Sequence, residues 1–327
     1  MSYDDYISVS TVKPRPFTAA ESCRTLRRNE TTPDRSEKSV SANTIQTKLV
    51  ELAAHNRLLR PLWRAYRSQR RVAHSRFDNI FHCCTQKTAS QWFRNVFNDP
   101  IFTDHTGLGT VPYVALGLRH AHLEGAFPTR SVVVHLYVDY RTYLAVPKPE
   151  SYRTFFVLRD PRDIVVSWYF HARNTHARPR TATDWEGPMD EMRETLHQLG
   201  PQDGMRYMID QVAAFGTFDA QRSWLDAGDD PHVRLFRYED LAGDNRAFLG
   251  ELMDYLEVPM PAPALERLNA NTTFQRLAGG RKQGEERASE HYRKGVAGDW
   301  RNHFDDGIQR HFREVTGDLV EVLGYQS

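Results

Sequence analysis

Asn79-Ile80-Phe81-His82-Cys83-Cys84-Thr85-Gln86-Lys87-Thr88-Ala89-Ser90-Gln91-Trp92 is the stretch whose reading decides the fold. Its first six residues are mostly apolar and too few for a helix, as expected of a strand buried on both faces. A polar turn follows, and a helix is expected from about Ala89. A lysine and small hydroxyl residues then stand at a helix N-terminus, where free backbone N–H groups and the helix dipole favour an anion. An ordinary strand-to-helix turn is the competing reading. The turn lacks the glycines of a Walker A loop, G-x-x-x-x-G-K-[ST].

The same unit recurs. Val132–Tyr137, Thr154–Leu158 and Val233–Tyr238 read as further strands, the third strand leading at once into a helix and the fourth into one from about Leu241. Strand–turn–helix units in series predict an α/β fold with a mostly parallel sheet flanked by helices. Ligands of such sheets gather at the carboxyl ends of the strands. One of those ends reads Arg159-Asp160-Pro161-Arg162-Asp163. Asp160 suits a helix cap, Pro161 the first helical position and Asp163 the first turn. Ser167 lies eight positions beyond Arg159, two turns into that helix. Near the C-terminus, Arg293-Lys294-Gly295-Val296-Ala297-Gly298-Asp299-Trp300 sets two cations beside a glycine that lets the backbone approach a ligand closely. Such a loop suits a phosphate, whose oxygens accept a guanidinium fork.

Composition bounds the function. A chain of 327 residues with 40% hydrophobic and 11% aromatic content supplies a sizeable core. A formal net charge of +1 gives no global electrostatic case for nucleic acid, so an anionic ligand must be held by local clusters. Three cysteines argue against a disulfide framework and for a reducing compartment. With no membrane-length apolar run and no apolar signal core, a cytoplasmic protein is expected. Residues 1–44 read as a disordered polar tail, and 45–75 as a basic amphipathic helical segment that Pro61 kinks or divides. Packing of that segment on the body is favoured over contact with an anionic membrane. Residues 76–327 form the expected catalytic body.

Three of these segments together resemble the PAPS-dependent (3′-phosphoadenosine 5′-phosphosulfate) sulfotransferase family. R-K-G-x-x-G-D-W resembles its nucleotide-binding loop, and Thr85–Trp92 its 5′-phosphosulfate loop, usually P-K-S-G-T-T-W. Phe156–Asp163 with Ser167 resembles its 3′-phosphate motif. The resemblance covers roughly residues 77–305 and implies a P-loop-NTPase-like sulfotransferase fold. On it, Lys87 takes the catalytic lysine position. Thr88, Ala89, Ser90, Gln91 and Trp92 complete the phosphosulfate loop, with Trp92 stacking on the adenine. Arg159, Ser167, Arg293, Lys294 and Gly295 hold the 3′-phosphate, and Tyr238, Thr272 and Phe274 flank the nucleotide. Gln86, Ala89 and Gln91 depart from the usual Pro, Gly and Thr. Ala89 matters most, because a Cβ strains a backbone that needs positive φ.

The implied reaction moves a sulfuryl group from PAPS to a hydroxyl, or an amine, of a small-molecule, sugar or lipid acceptor and releases PAP. No metal is expected. Lys87, His135 and Ser167 are the expected catalytic residues. His135 takes the place of the family's base histidine, although Val133 and Val134 stand where Lys and Thr are usual. His82 and Glu124 stay open as bases. His171 and His176 are less favoured because they lie on or beyond the helix after the 3′-phosphate motif. The competing functions are a catalytically inactive nucleotide-binding protein and, more remotely, a P-loop phosphotransferase. The family's dimer motif, K-x-x-x-T-V-x-x-x-E, is not visible around 301–310, which leaves the oligomeric state open.

Overall fold

The computed structural model describes residues 75–111, 126–174 and 186–326, all within the compact unit Pro61–Ser327. The polar tail, the basic segment up to residue 74, Glu124 and His176 lie outside the described residues. Among the described residues no helix is long and apolar enough to cross a membrane.

The chain runs β1 (Asn79–Cys84), α1 (Ser90–Asn98), α2 (Pro100–Thr106), β2 (Gly109–Thr110), β3 (Ser131–Tyr137), α3 (Tyr140–Ala145), β4 (Tyr152–Leu158) and α4 (Pro161–Asn174). It continues α5 (Glu186–Gln198), α6 (Pro201–Ala214), α7 (Thr217–Ser223), β5 (Val233–Arg237), α8 (Tyr238–Gly243), α9 (Asn245–Tyr255) and α10 (Ala262–Thr272). The short α11 (Phe274–Leu277), then α12 (Asp306–Thr316) and α13 (Leu319–Val322), complete it. The five strands pair in parallel in the order β2-β3-β1-β4-β5. The expected mostly parallel α/β sheet is therefore present, with β1 at its centre.

The alternation of side chains explains the two layers. In β4, Phe156 and Leu158 enter one core with Ile164, Val165 and Trp168 of α4. Phe155 and Val157 enter the other, with Phe93 and Phe97 of α1 and Phe248 of α9. β3 breaks its alternation. Val132 and Val134 face the second core, but Leu136 faces the first. The cause is a bulge: Phe81 pairs with Val133 and Cys83 with Leu136, so β3 spends one extra residue. His135 stands at that step with φ 62°.

Element ends differ modestly from the sequence reading. β4 begins two residues early, and the two-residue edge strand β2 was too short to show a pattern. Tyr238 opens α8 instead of closing β5, and the helix starts there and not at Leu241. Glu239 and Asp240 in the first turn of α8 favour that start.

Candidate active site

The turn after β1 reaches α1 through two left-handed residues, Lys87 (φ 68°) and Ala89 (φ 62°). Neither is glycine, so the backbone here is strained. The Thr88 hydroxyl donates to the Thr85 carbonyl at 2.7 Å, and Trp92 N–H to the Ala89 carbonyl at 2.8 Å, which fixes the turn. Lys87 projects its Nζ to 5.3 Å from the centre of the Trp168 ring of α4. Burial, then the charges of Arg159 and Arg293, lower its pKa to about 7.

The turn after β4 is cross-braced. Asp160 accepts from Arg162 N–H at 2.9 Å, Nε at 3.0 Å and Nη2 at 2.8 Å, and its own N–H donates to Glu239. Asp163 accepts the Gly298 N–H at 2.6 Å and the Trp300 N–H at 2.9 Å, tying α4 to the C-terminal loop. Burial raises the Asp163 carboxyl above its ordinary range, and the Arg159 charge and these two N–H groups oppose the rise. The sequence showed Asp163 only as a first-turn acid.

Arg159 joins the two turns. Its Nη1 donates to the Lys87 carbonyl at 2.7 Å, its guanidinium lies 4.0 Å from the centre of the Tyr238 ring, and its N–H donates to Gln221. Its buried Nε has no partner among the described residues. Ser167 lies in the seventh position of α4, partly exposed.

In the C-terminal loop, Arg293 and Lys294 both donate to Asp299 at 2.5 Å, and Arg293 also to Glu286 at 2.5 Å. Burial works against the Asp299 charge, but the approach of His303 at 3.4 Å and hydrogen bonds from Lys294, Arg293 and Asn302 hold its pKa far below the carboxylate range. Gly295 (φ 71°) faces Phe274 so closely that a Cβ would stand 2.3 Å from the ring. The glycine thus admits an aromatic ring of the chain itself.

Lys87, Arg159, Tyr238 and Arg293 therefore gather at the carboxyl edge of β1 and β4. Other predicted residues are engaged elsewhere. Trp92 is 5% exposed and donates to Asn245 and the Thr272 carbonyl, with its ring edge-on to Phe93 and Phe248. Thr272 donates its hydroxyl to the Leu268 carbonyl. Ser90 accepts from the Tyr137 hydroxyl at 3.2 Å, and Gln91 lies in the first turn of α1. His135 is 3% exposed, its Nε2 against the Ser90 carbonyl, and burial lowers its pKa to about 4. His82 is fully buried and stacked on Phe155, with neither ring nitrogen paired among the described residues. His171, less favoured in sequence, packs edge-on to the Trp168 ring that Lys87 also approaches. Its signal was the i,i+4 spacing from Ser167.

The chain is similar to known sulfotransferases. A family model described as the sulfotransferase domain matches residues 130–324, more than half of the chain. Sulfotransferase 6B1 of Danio rerio is 24% identical over 189 residues, 58% of each chain. Human Sulfotransferase 1C2 is 22% identical over 292 residues, 83% of this chain and 92% of that protein. The chain spans little more than half the length of the first of these relatives. Among solved structures, mouse sulfotransferase SULT7A1 complexed with PAP superposes with a TM-score of 0.49 at 18% identity, covering 76% of this chain and 86% of that one. With its parallel sheet and its family match, the chain belongs to the sulfotransferase domain family.

Proposed function

We propose that this chain transfers a sulfuryl group from PAPS to a hydroxyl, or an amine, of a small-molecule, sugar or lipid acceptor, releasing PAP. The observation that carries the reading is the convergence of Lys87, Arg159 and Arg293 at one edge of the sheet, where burial and mutual repulsion depress the lysine. Cations held together at such cost fit a polyanion, and the Arg159 Nε, unpaired among the described residues, is a donor left for it. When bound, PAPS supplies the activated sulfuryl group and a phosphate leaving group. The body from 76 to 327 carries the activity.

In this reading Arg159, Ser167, Arg293, Lys294 and the Gly295 backbone hold the 3′-phosphate. The two C-terminal cations must turn partly from Asp299 to do so. Lys87, Thr88, Ala89, Ser90 and Gln91 line the phosphosulfate end. Tyr238, Thr272, Phe274 and Trp92 border the nucleotide, although the buried indole of Trp92 meets an adenine only by its edge or after a shift. Lys87 stabilises the charge that grows on the leaving oxygen. His135 was the base read from the sequence, and its ring is directed at the Ser90 carbonyl.

The test is calorimetry with PAP and AMP in the presence of a chelator, on the wild type and Arg159→Ala. PAP should bind more tightly than AMP. The variant should lose about 1.5–3 kcal/mol towards PAP and little towards AMP. Equal losses would remove Arg159 from 3′-phosphate recognition, and absence of PAP binding would overturn the reading.

A further inference from the structure

His171 lies on α4 four residues beyond Ser167 and three beyond Trp168, so the three share one side of the helix. The Trp168 ring has Lys87 Nζ 5.3 Å from its centre and the His171 ring 5.6 Å away, edge-on at 67°. Ammonium and imidazole thus both pack against one indole ring. His171 is partly exposed, whereas His135 is 3% exposed and directed at a backbone carbonyl. In-line displacement places attacking and leaving oxygens on opposite sides of the sulfur. The group that receives the hydroxyl proton must therefore stand on the attacking side of the sulfur, within reach of the acceptor hydroxyl and apart from the leaving oxygen that the lysine serves.

We propose that His171 is the catalytic base of the sulfuryl transfer, an assignment that rests on the activity proposed above. The acceptor O–H bond breaks and its proton passes to an imidazole nitrogen of His171. The oxygen forms a bond to sulfur as the bond from sulfur to the bridging phosphate oxygen breaks. That oxygen keeps the electron pair, leaves on PAP, and has its charge met by Lys87.

The surroundings add a gate. The groups that face His171 are Lys87 from the first turn, His291 from the segment before Arg293, and Arg193 from α5. Lys87 is the largest influence, ahead of burial, and together they lower the pKa of His171 to about 2. His291 is lowered to about 4, by burial and then by Lys87. An anion seated on Lys87 cancels the field that suppresses the imidazole, so His171 gains basicity when the co-substrate is in place.

Two measurements test this. In histidine-labelled protein followed by NMR, with the signal assigned by His171→Gln, PAP should raise the titration midpoint of His171 by about one pH unit or more. With labelled PAPS and a panel of phenols, sterols and sugars, His171→Gln should lower kcat by about 10²–10⁴-fold and lose the acidic limb of the pH profile. PAP affinity and melting temperature should hold, and His171→Asn serves as the second variant. His135→Gln should keep the acidic limb. A His171 titration unmoved by PAP, a His171→Gln rate within about threefold of wild type, or loss of the limb in His135→Gln instead would each overturn the assignment alone. Wild-type protein that moves no label to any acceptor would overturn the activity, and the assignment with it.

Discussion

The turn after β1 and the turn after β4 stand on neighbouring strands at one edge of the sheet, yet they are stabilised in opposite ways. Between Arg159 and Asp163 no residue has positive φ, and Asp160 and Asp163 are each satisfied by several donors. Between Thr85 and Ser90 two non-glycine residues are left-handed, and a lysine is held near two arginines. The strain costs about 1–2 kcal/mol per residue. The first turn therefore carries conformational and electrostatic cost that a bound anion would offset, while the second is braced throughout except at the Arg159 Nε, which has no partner among the described residues. A site can be divided between a rigid reader and a stressed actor, and substitutions should separate the two.

The largest expected effect comes from removing the actor. Lys87→Ala should lower turnover by at least about 100-fold while PAP affinity falls much less, because the lysine acts chiefly on charge that develops during transfer. Steady-state rates and calorimetry on one preparation check this, and near-normal turnover would remove Lys87 from the mechanism.

A smaller effect follows from the lysine's pKa of about 7. Binding of an anion favours the ammonium. Below about pH 7 Lys87 is already protonated, and above it a proton must be taken up on binding. PAP affinity should therefore fall with rising pH, by no more in total than the small loss that Lys87→Ala shows. Calorimetry in buffers of different ionisation enthalpy should show proton uptake that Lys87→Ala abolishes. Affinity that stays flat across this range would place the ammonium outside the ligand's field.

The smallest effect isolates the strain. Ala89→Gly relieves about 1–2 kcal/mol of left-handed strain but adds about 0.5–1 kcal/mol of unfolded-chain entropy, so a net gain of about 0.5–1 kcal/mol is expected. Ala89 also packs on the second core, which trims the gain. A lower melting temperature would show that this methyl contact outweighs the backbone term.

Much of the fold was legible because its signals are local. Asn79–Cys84 is a strand at the expected residues, Pro161 opens α4, and Asp160 accepts from Arg162 N–H as a cap does. The strain at Ala89 was also readable, since a Cβ stood where a glycine was usual. The helix at Tyr238 was missed because an aromatic residue after a strand reads as more strand, and two acids then outweighed it.

Within the site, the sequence by itself determined which residues leave the strand ends: Lys87, Arg159 and Tyr238 each follow from a short apolar run and a turn. Only the tertiary structure decided what those side chains meet. The bulge in β3 turned His135 towards Ser90, a consequence of register between strands some fifty residues apart in sequence. Asp299 claimed the two cations of its own loop, and Phe274 filled the space that Gly295 leaves. His171 and Lys87 meet the same indole because α4 packs beside the first turn. Turns and caps depend on bonds between near neighbours, which a sequence displays. Burial and electrostatic fields depend on groups brought together from distant positions, and those are set only when the sheet and its helices close.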